Sequence, residues 1–138
     1  MRVLNWDVRL VEWADRRVCA PFAWGETDCW LLCLEAIDCL RGSSAAERYR
    51  GRWTNEREAL AFQRGIDLRA ILEAEGCRQV KPGFVQRGDL MLAPSEHFTC
   101  GHVCLGALAL SVPLHGTVQF IPSRPVIEVA GVVVLRAG

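Results

Sequence analysis

Cys29 stands directly after Gly25-Glu26-Thr27-Asp28 and heads the apolar run CWLLCLEAIDCL. A thiol in the first turn of a helix faces unpaired N–H groups and the positive end of the helix dipole, which favour the thiolate and raise its nucleophilicity. The same N–H groups can hold an oxyanion formed when a thiolate attacks a carbonyl. Cys33 and Cys39 lie deeper in the run, where apolar surroundings oppose ionisation. A cysteine nucleophile also needs a base, and the base needs an orienting group. His102 opens the strand-like run HVCLGAL, and His115 follows about one strand–turn–strand step later. On antiparallel neighbours these two rings can share a face, so Cys29, His102 and His115 read as nucleophile, base and orienter. His97, in the loop-like PSEHFTCG, has no comparable placement.

A different chemistry competes for the same residues. Cys29 and Cys33 lie one helical turn apart, and Cys100, His102 and Cys104 alternate along one strand face. Were helix and strand to pack together, four thiols and an imidazole could converge on zinc or an iron–sulfur cluster. The spacing is not that of a Cys-x2-Cys knuckle, and packing accounts for Cys33 and Cys104 more simply.

These residues must be carried by ordered elements. A first helix is expected from about Asn5 to Val18, with Leu4, Val8, Val11 and Cys19 near its inner stripe and Pro21 beyond its end. Thr27 or Asp28 caps the second helix, which stops at Gly42 and is apolar nearly all round, as a buried central helix should be. A short helix follows Ser43-Ser44. Asn55 with Glu58 forms a capping box for the next helix, which ends at Gly65, and Asp67 opens another that ends at Gly76. After Lys81-Pro82-Gly83 come short β-rich runs: GDLMLAP, HVCLGAL, TVQFIP and VIEVAGVVVL. Helices first and strands afterwards predict an α+β domain with a small antiparallel sheet. No repeat or linker divides the chain, so residues 1–138 are expected to form one domain.

Composition narrows the function classes. Sixteen Lys and Arg balance sixteen Asp and Glu, which argues against direct nucleic-acid binding. No stretch approaches the roughly 18 apolar residues of a membrane span. Seven cysteines cannot all pair within the chain, and MRVLNWDVRLVEWADRR has no signal-peptide character. The thiols are expected to be reduced, in a protein made in a cytosol. The five tryptophans read as core and groove walls, and the Arg48, Arg50, Arg52 run as a solvated helix face.

The segment PFAWGETDCW resembles the nucleophile motif of the NlpC-type cell-wall cysteine peptidases, a branch of the papain-like fold. QRGDLMLAP followed by GHVCLGAL is similar to that family's Gly-Asp-hydrophobic strand and His-Val strand. With its N-terminal helix and long helical insert, the chain is most similar to the branch found in the tail tips of bacteriophages. Three positions depart from the family pattern: Trp30-Leu31 stands in place of Ser-Gly after the cysteine, Phe22 in place of Tyr, and Cys104 in place of Gly. The resemblance implies a papain-like fold and catalysis by Cys29, His102 and His115. It also implies substrate contact by Asp28, Trp24 and Phe22, with Asp28 either meeting the substrate's amino group or serving only as helix cap. The implied activity is hydrolysis of peptidoglycan stem peptides without metal or other cofactor. The implied setting is the virion, among other tail-tip or baseplate proteins and assembled in the host cytoplasm. A subunit that keeps the fold as a silent plug of the tail tip is the alternative, and a metal-bearing assembly module a third.

Overall fold

A computed structural model describes residues 1–138. Six helices and six strands follow the chain as α1 (Trp6–Arg17), α2 (Cys29–Arg41), α3 (Ala45–Tyr49), α4 (Glu56–Gly65), α5 (Leu68–Ala74), β1 (Arg78–Val80), β2 (Leu90–Pro94), β3 (Thr99–Cys104), β4 (Leu108–Ser111), β5 (Gln119–Pro122), α6 (Ser123–Ile127) and β6 (Val133–Arg136). All strand pairs are antiparallel, and the sheet order is β1-β6-β2-β3-β4-β5. The α+β architecture with a helical first half is as the sequence pattern predicts.

The main core lies between α2 and one face of the sheet. Leu31, Leu34, Ile37 and Leu40 of α2 are fully buried with Leu90, Val103, Leu110 and Leu135. A smaller cluster on the opposite face joins Met91, Cys104, Ala109 and Val134 to Val126 of α6. Strand residues alternate between these clusters, as the period of two requires.

Cap chemistry sets the helix starts. The side chains of Asp28, Asn55 and Asp67 accept from the backbone N–H three residues on, beginning α2, α4 and α5. Glu58 does not close its capping box on Asn55; it accepts instead from the Thr54 backbone and hydroxyl. Gly42 ends α2 in the left-handed conformation.

Three expectations need correction. First, α1 buries Leu10, Trp13 and Ala14, while Leu4, Val8, Val11 and Cys19 are exposed. The Trp13 indole, donating to Glu35 at 2.9 Å, fixes the inward face. Second, HVCLGAL is not one strand: it turns at residues 105–107 and returns as β4, with Gly106 at φ 113°. Third, VIEVAGVVVL splits between α6 and β6, and β1 has no counterpart among the β-rich runs.

Candidate active site

The segment before α2 is held from several directions. Asp28 is buried (4% exposed), and its carboxylate accepts from Leu31 N at 2.9 Å, Gly25 N at 2.7 Å and the Trp53 indole at 2.7 Å. Gly25 takes φ 71°, and a Cβ there would overlap the Trp53 carbonyl oxygen, so the glycine of WGETDC is a steric necessity. Arg17 donates to the Glu26 carbonyl at 3.0 Å and pairs with Glu35, which also meets Arg50 at 2.8 Å. Arg50 is thus the centre of an ion network with Glu26, Glu35 and Glu47 rather than a freely solvated side chain.

Cys29, the first residue of α2, reaches the edge of β3. On β3 the odd-numbered N–H and C=O groups point away from β2, as the Cys104 pairing with Asp89 fixes. The β3–β4 ladder covers Val103–Leu110 and Cys104–Ala109, leaving the edge at Thr99 and Gly101 unpaired by strand. Two α2 side chains take the place of β4. The Trp30 indole donates to the Thr99 carbonyl at 3.1 Å, and the Cys29 Sγ lies 3.9 Å from the same oxygen. The approach is close because residue 101 is glycine: a Cβ there would meet Cys33 Sγ at 2.5 Å and the Cys29 carbonyl oxygen at 3.3 Å.

Burial pushes the Cys29 thiol up to about 12, outweighing the Gly101 N–H that favours the thiolate. The expectation of a lowered thiol value at the helix start is therefore corrected: enclosure dominates the helix terminus. Cys33, deeper in α2, is raised well above the ordinary thiol value by the same cause.

Gly101 faces α2, so His102 projects to the opposite face, beside its ladder partner Met91. Burial lowers its value from that of a free imidazole. Its Nδ1 lies 3.1 Å from Ser111 Oγ, and no hydrogen bond joins it to Cys29. His115 does not meet it. The hairpin turns sooner than expected, which brings Ser111 opposite His102. His115 sits past β4 at φ 60° with its ring 5.7 Å from Phe22. The side chain beside the His102 ring is thus Ser111 and not His115. His97 is exposed, with Glu96 3.9 Å away.

Cys29 lines an apolar cavity of about 170 Å³ with Phe22, Trp24, Trp53, Phe98 and Leu114 around it. Phe22 and Trp24 meet edge to face at 4.8 Å, and Trp24 tilts over Phe98 at 5.8 Å. The wall carrying Leu114 is fastened by backbone bonds from Phe22 N to Gly116 O and from Val118 N to Ala20 O. A more polar groove of about 770 Å³, lined by residues of α4 and the stretch 94–99, shares Trp30, Gln63, Ser95, Phe98 and Thr99 with this cavity. Phe22, Trp24 and Asp28 all border the cavity, but Asp28 has its oxygens engaged by the protein.

No three His, Cys, Asp or Glu side chains come together to hold a metal ion. Cys33 packs toward Gly101 from the α2 side, whereas Cys104 lies in the cluster on the other face, near Ser123 and Gly106. The convergence considered for a metal centre fails because the sheet separates its members.

The structure thus defines an α+β domain with a half-buried cysteine at a helix start, in an aromatic cleft. A family model described as a domain of unknown function, DUF6950, matches residues 1–128, and the chain belongs to that family. Neither the curated proteins nor the solved structures contain a match. No helix is long and apolar enough to cross a membrane.

Ser111, Gln63, Trp53 and Phe98 join the site only in the structure. For Ser111 a signal exists in the sequence: Gly106 marks a turn within LGAL, and a hairpin there sets Ser111 against His102.

Proposed function

We propose that this chain is a papain-like, NlpC-type cysteine hydrolase of peptidoglycan stem peptides, working as a component of a phage tail tip. The observation that carries this reading is Cys29: a thiol in the first turn of α2, open to an aromatic cleft and bordered by the unpaired edge of β3. His102 follows directly after Gly101, whose N–H faces that thiol, and Ser111 steadies its ring. For this reaction the imidazole must leave the face it shares with Met91 and Ser111 and turn toward the sulfur. In the reaction His102 accepts the Cys29 proton and the thiolate adds to the scissile carbonyl. The amine leaves with that proton, and water cleaves the resulting thioester to free acid and thiol. The backbone N–H of Cys29 holds the developing oxyanion, since that of Leu31 is taken by Asp28. The bond after γ-linked D-glutamate is the expected target, and other tail-tip proteins are the expected partners.

The second reading, a silent plug subunit with the same fold, is favoured by two features: burial disfavours the Cys29 thiolate, and His102 turns to the opposite face. One experiment separates them. Purified protein is incubated with peptidoglycan sacculi and new amino termini are counted, alongside Cys29→Ala. Release by the wild type and its loss in a folded Cys29→Ala protein support the hydrolase. Equal release by both, or none by either, overturns it.

A further inference from the structure

Among the residues lining the cavity, Gln63 is the only carboxamide. Asp28 is committed to three donors, Ser95 Oγ to the Phe98 carbonyl and the Thr99 carbonyl to the Trp30 indole, which leaves the Gln63 carboxamide and the Thr99 hydroxyl as the side-chain polar groups without a partner. Gln63 is half-buried and its side chain makes no hydrogen bond. It stands on α4 next to Phe62, whose ring packs 4.8 Å from Trp53. Gln63 also borders the polar groove. Gln63 is thus one of the five residues that border both the groove and the Cys29 cavity.

A carboxamide offers one carbonyl acceptor and an NH2 donor on one planar group. Another amide answers both at once, and a peptide substrate presents one at every residue. An apolar ligand covering Gln63 would strand both its polar ends, a penalty larger than the gain from one ordinary hydrogen bond. Aromatic walls with an uncommitted carboxamide at the entrance therefore favour a ligand that carries paired donors and acceptors over an acyl chain.

We infer that Gln63 is a specificity-determining residue that pairs with a peptide group of the substrate as it enters the Cys29 cleft from the groove. This rests on the proposed hydrolase reading for its choice of ligand. It does not rest on turnover.

The test uses the full chain carrying Cys29→Ala, so that binding is measured without reaction. The probe is the stem tripeptide L-alanyl-γ-D-glutamyl-L-lysine, compared with analogues in which each amide in turn is replaced by an ester. Titration calorimetry is run on the Cys29→Ala protein with Gln63, and with Gln63→Leu or Gln63→Asn added. Gln63→Leu should weaken tripeptide binding about tenfold, the loss of a paired donor and acceptor. One ester analogue should lose a similar factor against the Gln63 protein and little against the Gln63→Leu protein, which has no amide left to pair. Gln63→Asn should retain part of the preference. Equal tripeptide affinity for the Gln63 and Gln63→Leu proteins overturns the inference, as does failure of the Gln63 protein to bind. If binding follows Gln63 while the wild type releases no amine from sacculi, the hydrolase reading fails and the inference stands.

Discussion

Exchange of Asp28 for Asn separates a helix cap from a substrate contact. The side chains are nearly isosteric, so the change acts on charge and hydrogen bonding. In the native protein one carboxylate oxygen receives Gly25 N and the Trp53 indole, and the other receives Leu31 N, all within 2.9 Å. An Asn amide has one acceptor, so either orientation turns its NH2 against at least one N–H. The better orientation keeps the two donors on the carbonyl and strands Leu31 N. Hydrogen bonds to a charged group are worth about 1.5–3 kcal/mol and neutral ones about 1 kcal/mol, while an unsatisfied buried donor costs about 1–3 kcal/mol. Two weakened bonds and one stranded donor total about 2–7 kcal/mol by these figures, centred near 4 kcal/mol, a large share of the roughly 5–15 kcal/mol typical of a domain. Urea unfolding followed by tryptophan fluorescence should show the midpoint falling by about 2 M at unchanged slope. Ala in place of Asp should cost at least as much, since it strands all three donors. A loss below about 1 kcal/mol for Asp28→Asn would refute the cap reasoning. If binding of stem peptide were then lost as well, the carboxylate would belong to the ligand.

Gly101→Ala should destabilise the fold by about 1–3 kcal/mol through overpacking, because its Cβ meets Cys33 Sγ at 2.5 Å. Adding Cys33→Ala should recover part of that loss, and a double-mutant cycle in urea gives the coupling. The thiols of Cys29, at about 12, and of Cys39 and Cys77, at about 11, are raised by burial. The unfolded chain therefore loses its thiol protons first: stability is full below about pH 8.5 and is lost as pH rises toward the folded values. Melting temperatures at about pH 7, 9 and 10.5 should fall across the series, and a flat profile would contradict the burial argument. His102 is lowered by burial, so its contribution is full above about pH 6.5 and lost as pH falls, and His102→Gln should flatten the acid side of the same profile. Ser111→Ala should raise the imidazole's freedom, seen as an altered His102 ring signal in NMR, while His115→Ala leaves that signal in place.

The parts of the site that obey local rules are legible in the sequence. Asp28 as cap, Cys29 at the first helical position and Gly42 at the end of α2 follow from chemistry within a few residues. The motif glycines are visible as letters, but their reason is not. Gly25 is required by the Trp53 backbone and Gly101 by Cys33, contacts between segments distant in sequence. The α1 face is ambiguous because Leu4, Val8 and Val11 make as good a stripe as Leu10, Trp13 and Ala14, and only the Glu35 carboxylate on α2 decides between them. The base–orienter pairing fails on hairpin register, where a turn displaced by a few residues changes which side chains face each other. The thiol's raised value is out of reach as well, since a helix start is readable from sequence and enclosure is not.

The loop between α3 and α4 carries Trp53 to the Asp28 carboxylate, and the helix that follows sets Phe62 and Gln63 at the cleft. This stretch works like an exchangeable bit held in a chuck. The sheet and α2 form the tool body, and a graft between Ser43 and Gly65 would change what the cleft grips. Such a graft must still present an indole donor where Trp53 stands and leave room for Gly25. Without that key the tool would lose its own jaw, because the carboxylate that locks the insert also caps the helix bearing Cys29.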